Sequence, residues 1–273
     1  MHAIELETGV SSELQAVALR FLGDRIAARE PEGIGLARWS ENNRPVTPAA
    51  VTRIDDFPAL QLFDDPVQSQ VAAFGLAEAA GMLRPYALRL KTEAGRITEV
   101  EEIVSTACQG HFADAPRLLK PDVLYAAPVP AHRAADREQL QAVADSYWTA
   151  LQESDGSLAR FAYRCDRYDN GKKITNNLSI LLSEDAAVHT PASCLNATRP
   201  ARPVARNRRY PVLDTRLGVA VSFVLVDFHP APSLNRPDCG TFYMAALFKI
   251  TDGEIRSLDE IREIIPLGSQ QSW

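Results

Sequence analysis

Asp227 and His229 stand two residues apart at the end of an apolar run, GVAVSFVLVDFHP. In an alternating strand, Phe223, Leu225 and Asp227 share one face. A carboxylate beside an imidazole orients the ring and favours its protonated form, which is general acid–base chemistry. The same residue types also have a purely structural use, with Asp227 capping the turn imposed by Pro230 and Pro232 and His229 in solvent. Tyr147 and Trp148, adjacent in DSYWTALQ, offer a hydroxyl and a large ring. Either both are core, or one stacks on an aromatic ligand while the Tyr147 hydroxyl donates a hydrogen bond. CDRYDNGKKITNN places Arg167, Tyr168, Asn176 and Asn177 around Asp169-Asn170-Gly171, itself a turn signature. Arg209 is suited to a phenolate or carboxylate, or to pairing with Asp214. Lys249 lies in the apolar run LFKIT, in either a pocket-lining or a structural place. His111, His132 and His189 fall in loop-like sequence and read as solvent-exposed.

Other chemistries lack their motifs. There is no Gly-rich phosphate loop, no GxSxG and no HExxH. Cys108, Cys165, Cys194 and Cys239 are widely scattered without metal-ligand spacing, and read as reduced structural thiols. No metal and no cofactor is expected, so side chains alone would carry the chemistry.

The elements that position these residues occur twice. LQAVA stands at 14–18 and again at 140–144, and WSENN (39–43) matches RYDNG (167–171). DPVQSQVAAFGLAE (65–78) matches DTRLGVAVSFVLVD (214–227), and LRLKTEAGRITEVEEI (88–103) matches LFKITDGEIRSLDEI (247–261), with Lys91 over Lys249 and Gly95 over Gly253. The offset grows from 126 through 128 and 149 to 158, as expected when insertions collect in loops. Each copy opens with an amphipathic helix, from Ser11-Ser12-Glu13 to about 30 and from about 137 to 154. A short second helix is expected at about 33–40 and 157–166. Strands follow at 68–78, 84–92 and 96–104, and at 208–214, 217–228, 241–251 and 254–264. EAGR (93–96) and TDGE (251–254) read as hairpin turns. The predicted domains are 1–108 and 134–273, joined by a linker at 109–133, with a Pro-containing insertion at 178–207. Helices followed by an antiparallel meander make each copy an α+β unit, and two copies imply an internal pseudo-dimer.

The chain has 273 residues, 46% of them hydrophobic, and a net charge of −6. That balance disfavours nucleic acid and anionic membranes as partners. MHAIELETG has neither a basic nor an apolar leader region, and no apolar run reaches the roughly 20 residues of a membrane span. A cytoplasmic protein acting on a small molecule, with a homodimer open to it, is the expectation.

The order of helix, acidic/Asn/Gly turn, meander and closing hairpin LFKITDGEIRSLDEI resembles the SnoaL-like branch of the nuclear-transport-factor-2-like superfamily, in a tandem form. That resemblance implies two cone-shaped units whose helices cover a curved antiparallel sheet around an apolar pocket. YWTALQESDGS, CDRYDNGKKITNN and RRYPVLDTRLGVAVSFVLVDFHP further resemble the cofactorless lignin-dimer γ-formaldehyde lyases, which act on diarylpropanes and phenylcoumarans. This likeness implies a lyase with a small aromatic substrate. Its catalytic set would be His229, Asp227, Tyr147 and Arg167. Trp148, Tyr168, Asn176, Asn177, Arg209, Phe223 and Lys249 would line the pocket of the second copy. A polyketide cyclase or dehydratase, and a non-catalytic binding module, are the alternatives the same fold supports. Within the first copy, a pocket around Trp39, Glu41, Tyr86 and Arg89 is the competing location.

Overall fold

The computed structural model describes residues 12–31, 34, 37–107, 113–178, 194, 203–228 and 240–272. Within them the chain is α+β and consists of two units of one design. Unit one comprises α1 (Glu13–Ile26), β1 (Arg38–Glu41), β2 (Arg44–Pro45), β3 (Asp56–Asp65), β4 (Gln70–Ala79), β5 (Met82–Glu93) and β6 (Arg96–Val104). A 3₁₀ turn (Ala115–Leu119) and the single-turn α2 (Val123–Ala126) lead to unit two. There α3 (Arg137–Glu153), β7 (Phe161–Asp169), β8 (Lys172–Lys173) and β9 (Val204–Asp214) are followed by β10 (Val219–Phe228), β11 (Gly240–Thr251) and β12 (Glu254–Ile265). The two six-stranded sheets have equivalent orders, β2-β1-β6-β5-β4-β3 and β8-β7-β12-β11-β10-β9.

Register carries the repeat further. Gln70 opposes Lys91 as Val219 opposes Lys249. Lys91 opposes Glu99 as Lys249 opposes Ser257, and in both hairpins the register slips directly after the lysine. Trp39 pairs with Val100, and Arg167 with Leu258, in the parallel pairings β1–β6 and β7–β12. The sequence offsets of 128, 149 and 158 therefore map onto equivalent places in the two sheets.

Both helices start at a side-chain cap. Ser12 accepts from Gln15 N, and Asp136 with Gln139 forms a reciprocal capping box. α1 lays Val17, Ala18, Phe21 and Leu22 on one face of its sheet, and α3 does the same with Leu140, Val143, Ala144, Tyr147 and Trp148. The opposite faces of the two sheets meet each other. Phe63, Phe74 and Ile103 of unit one pack there with Phe223, Tyr243 and Ile261 of unit two, and Tyr125 of the linker is buried among them. The layers run helix, sheet, sheet, helix.

Two expectations are corrected. Residues 38–40 and 161–166 form strands rather than helix, because β1 and β7 gain a parallel ladder to β6 and β12 that outweighs local preference. Residues 56–65 form a strand that hydropathy did not single out. At the β7–β8 turn Gly171 has φ +82°, and a Cβ there would stand 2.3 Å from Asp114 O, so the linker passes where only glycine fits.

Candidate functional site

In each unit a pair of carboxylates sits side by side beneath the helix. Glu41 is the parallel-strand partner of Glu102, and Asp169 is the partner of Glu260. The two pairs are repeat-equivalent. Neighbouring strands lie only about 4.8 Å apart, so each pairing brings two acidic side chains together on one face. An asparagine holds each register. Asn42 Nδ2 donates to Val104 O and its Oδ1 accepts from Val104 N, while Asn170 makes the same exchange with Arg262. Both asparagines adopt positive φ, 50° and 44°, which Asn tolerates better than most residues.

Unit one closes its pair completely. Glu102 accepts from Tyr86 Oη (2.6 Å), Trp39 Nε1 (2.8 Å) and Arg25 Nε (3.2 Å). Glu41 accepts from Thr52 N and Oγ1, and Arg25 Nη2 lies 3.8 Å away. Burial, with the charge of Glu102, raises the Glu41 pKa. Trp39, Glu41 and Tyr86 are thus gathered around Glu102, whereas Arg89 points to the other face of the sheet.

Unit two builds on the same pair with different donors. Tyr147 Oη of α3 donates to Glu260 Oε1 at 2.7 Å, and Arg167 Nε of β7 donates to Oε2 at 2.7 Å. Asp169 accepts from Arg262 Nε at 2.7 Å, and the guanidinium of Arg262 lies over the Phe242 ring, 4.4 Å from its centre. Phe242 stacks in turn on Phe228, centroids 4.5 Å apart. Here the network is not saturated: among the described residues, Arg262 Nη1 is buried without a hydrogen-bond partner. Burial and the charge of Asp169 raise the Glu260 pKa against the pull of Arg167. Burial and Glu260 push the Tyr147 phenol well above its ordinary value, so it stays a neutral donor. The arrangement is a buried carboxylate of raised pKa with a fixed hydroxyl donating to it. A buried guanidinium N–H lies two residues further along β12 on the same face.

A second repeat-equivalent pair, Glu101 and Asp259, faces the junction of the sheets. Glu101 accepts from Arg89 Nε (2.6 Å), Arg209 Nη1 (2.9 Å) and Tyr243 Oη. Burial would raise its pKa, but Arg209 and Arg89 hold it down at about 2. Asp259 has Arg117 3.8 Å from an Oδ1 that makes no hydrogen bond among the described residues, and Tyr125 as a further partner; burial still pushes its pKa to about 6.

The residues singled out from sequence are distributed as follows. Tyr147 and Arg167 converge on Glu260. Trp148 lies beside Tyr147, centroids 4.8 Å apart, and donates to Ser222 Oγ. Tyr168 is on the opposite face of β7, stacked under Arg117. Phe223 and Arg209 face the other sheet, Arg209 reaching Glu101 of unit one. Alternation along β10 was read with the right period, but both faces of that strand are buried, so hydropathy could not say which face meets α3. Asp227 is gripped by Arg206 Nε (2.7 Å) and Nη2 (3.0 Å) and by Thr241, anchoring the C-terminal tail. Lys249 is buried and donates to Ala127 O and Leu217 O, tying the linker to the β9–β10 turn. Asn176 is exposed at φ 46°, and Asn177 donates to Lys173 O; both shape the turn after β8. His229, His111 and His189 lie outside the described residues.

Cysteine usage is also corrected: Cys165 of β7 is disulfide-bonded to Cys194, with Cα atoms 5.8 Å apart. Cys108 and Cys239 lie outside the described residues. Among the described residues no three His, Cys, Asp or Glu side chains gather as a metal site, and no helix is long and apolar enough to cross a membrane.

No curated protein matches the chain. Residues 133–262, from just before α3 to Arg262, match the family model described as a domain of unknown function, DUF8021.

Proposed function

We propose that the chain is a SnoaL-like, cofactor-independent acid–base enzyme for a small aromatic molecule, with unit two as the working copy. One observation carries this reading. Among the described residues, unit two holds Glu260 with a raised pKa, Tyr147 as a fixed donor and Arg262 with an unused buried N–H, whereas the equivalent network in unit one is saturated. In the proposed role Arg262 Nη1 takes a phenolate or carboxylate of the ligand, beside the Phe228–Phe242 pair. Glu260 exchanges the proton, and Tyr147 and Arg167 hold it in place. Raised carboxylate pKa values suit proton transfer near neutral pH, a contribution of about 10²–10⁴ in rate.

The lyase chemistry implied by the lignin-dimer resemblance is the specific form proposed. A carboxylate takes the proton of a primary γ-hydroxyl, and the Cβ–Cγ bond breaks to release formaldehyde. Its electrons form a Cα=Cβ double bond as the protonated α-oxygen leaves. For a diarylpropane the products are formaldehyde, water and a stilbene, with no oxidant required. Metal-stripped protein incubated with diarylpropane and phenylcoumaran dimers should release formaldehyde and the stilbene product in equal amounts. Binding without turnover would leave a ligand-binding module and overturn the enzymatic reading.

A further inference from the structure

A second site lies where the two units and the C-terminal tail meet. It is an open cleft of about 440 Å³, in the usual range of small-molecule sites. Arg38, Gln70, Arg89 and Glu99 of unit one line one side; Arg208, Arg209, Tyr210 and Gln141 of unit two line the other. The tail supplies Gln271, whose amide oxygen accepts from Arg209 Nε at 2.7 Å. Asn43 of unit one bonds the tail at Gln270 O and Ser272 N, so the tail bridges the units and closes one end.

The lining has a definite chemistry. Four guanidinium groups face it against a single lining carboxylate, Glu99. Arg38 and Arg89 pair with Glu99 within the lining, at 2.8 and 2.6 Å, and contacts behind the lining fix the direction of three of the four cations before a ligand arrives. Arg89 and Arg209 rest on the buried Glu101, and Arg208 rests on Asp145 (3.2 Å) and Thr149 (2.9 Å). Planar guanidinium forks match carboxylate and phosphate oxygens. The glutamine amides both donate and accept, the complement of sugar hydroxyls. Tyr210, anchored to Asp145 at 2.6 Å, and Pro211 add an apolar strip suited to a ring face.

We infer that this cleft binds a monosaccharide-sized polyhydroxylated anion, a sugar carboxylate or sugar phosphate. The inference is independent of the Glu260 site, with which the cleft shares no lining residue. Calorimetric titration with glucuronate, glucose 6-phosphate, glucose and inorganic phosphate tests it, and its first two arms separate carboxylate from phosphate. At least one sugar anion should bind saturably, with glucose and inorganic phosphate each weaker by about tenfold or more, the worth of a charge-assisted hydrogen bond. The double variant Arg38→Gln, Gln141→Glu changes two exposed positions and should weaken that binding by a similar factor while keeping the thermal midpoint. The inference is overturned if neither sugar anion binds. Equal binding of glucose or of inorganic phosphate, or unchanged affinity in a variant with an unaltered midpoint, overturns it too.

Discussion

Asp259→Asn should make the protein more stable at neutral pH and leave it unchanged at acid pH. In the native protein this carboxyl is buried, its Oδ1 has no hydrogen bond among the described residues, and its pKa is pushed to about 6. An unfolded aspartate titrates near 3.9. With the folded value the higher of the two, the favourable contribution is complete below about pH 4 and is lost as the pH rises through 6. At pH 7 the native state then carries a buried, poorly paired charge. About two pKa units correspond to about 3 kcal/mol, or roughly 6–12 °C in Tm for a chain of this size. Asparagine keeps the shape and carries no charge at any pH. Urea unfolding of both proteins from pH 4 to 8 should show the difference growing between about pH 4 and 6 and level above that. Parallel curves, or a variant less stable at pH 7, would refute the argument. Glu101 supplies the internal control. Its pKa, held at about 2, makes its contribution present above the unfolded value and lost as the pH falls through it. Glu101→Gln takes the carboxylate from Arg209 and leaves Arg89 with Glu99 alone as its carboxylate, and should cost about 3 kcal/mol at pH 7.

Tyr147→Phe removes the donor to Glu260 and should lower kcat by about tenfold or more. Tyr86→Phe, in the saturated network of unit one, should leave kcat within about twofold; steady-state kinetics distinguishes the two. Asn170→Ala deletes the two-way clamp on Arg262 and places alanine at positive φ, for a loss of about 2–3 kcal/mol in chemical denaturation. Cys165→Ser should lower stability by about 3 kcal/mol, given the 29-residue separation closed by the disulfide, and non-reducing peptide mapping should recover the two cysteines joined.

The repeat was legible because strand lengths were kept while loops changed, so offsets read from WSENN/RYDNG and from the two lysine hairpins land on equivalent registers. The same alignment already set Glu41 over Asp169 and Glu102 over Glu260. Those acids carry the candidate site, yet of the four only Glu41 stands out in the sequence, in the competing pocket of the first copy, because residues that differ between the copies give the stronger contrast. The signal was two acidic positions kept in both copies at the strand ends that pair in parallel. Parallel pairing itself was not legible: β1 and β7 are short, of mixed polarity, and owe their conformation to β6 and β12. Nor was the allocation of faces, since two-sided burial erases the contrast that alternation depends on. This is why Phe223 and Arg209 belong to the junction of the sheets. The Cys165–Cys194 pairing joins positions far apart in sequence, and spacing alone does not specify connectivity.

The central claim is that Glu260 of unit two handles the proton and that its repeat-equivalent Glu102 does not. Formaldehyde release from diarylpropane and phenylcoumaran dimers, measured for the unaltered chain, Glu260→Gln and Glu102→Gln with folding verified by thermal midpoint, tests it most directly. The expected result is release by the unaltered chain and Glu102→Gln, with Glu260→Gln slower by about 10² or more. Undiminished turnover in Glu260→Gln, or no formaldehyde from the unaltered chain, would contradict it.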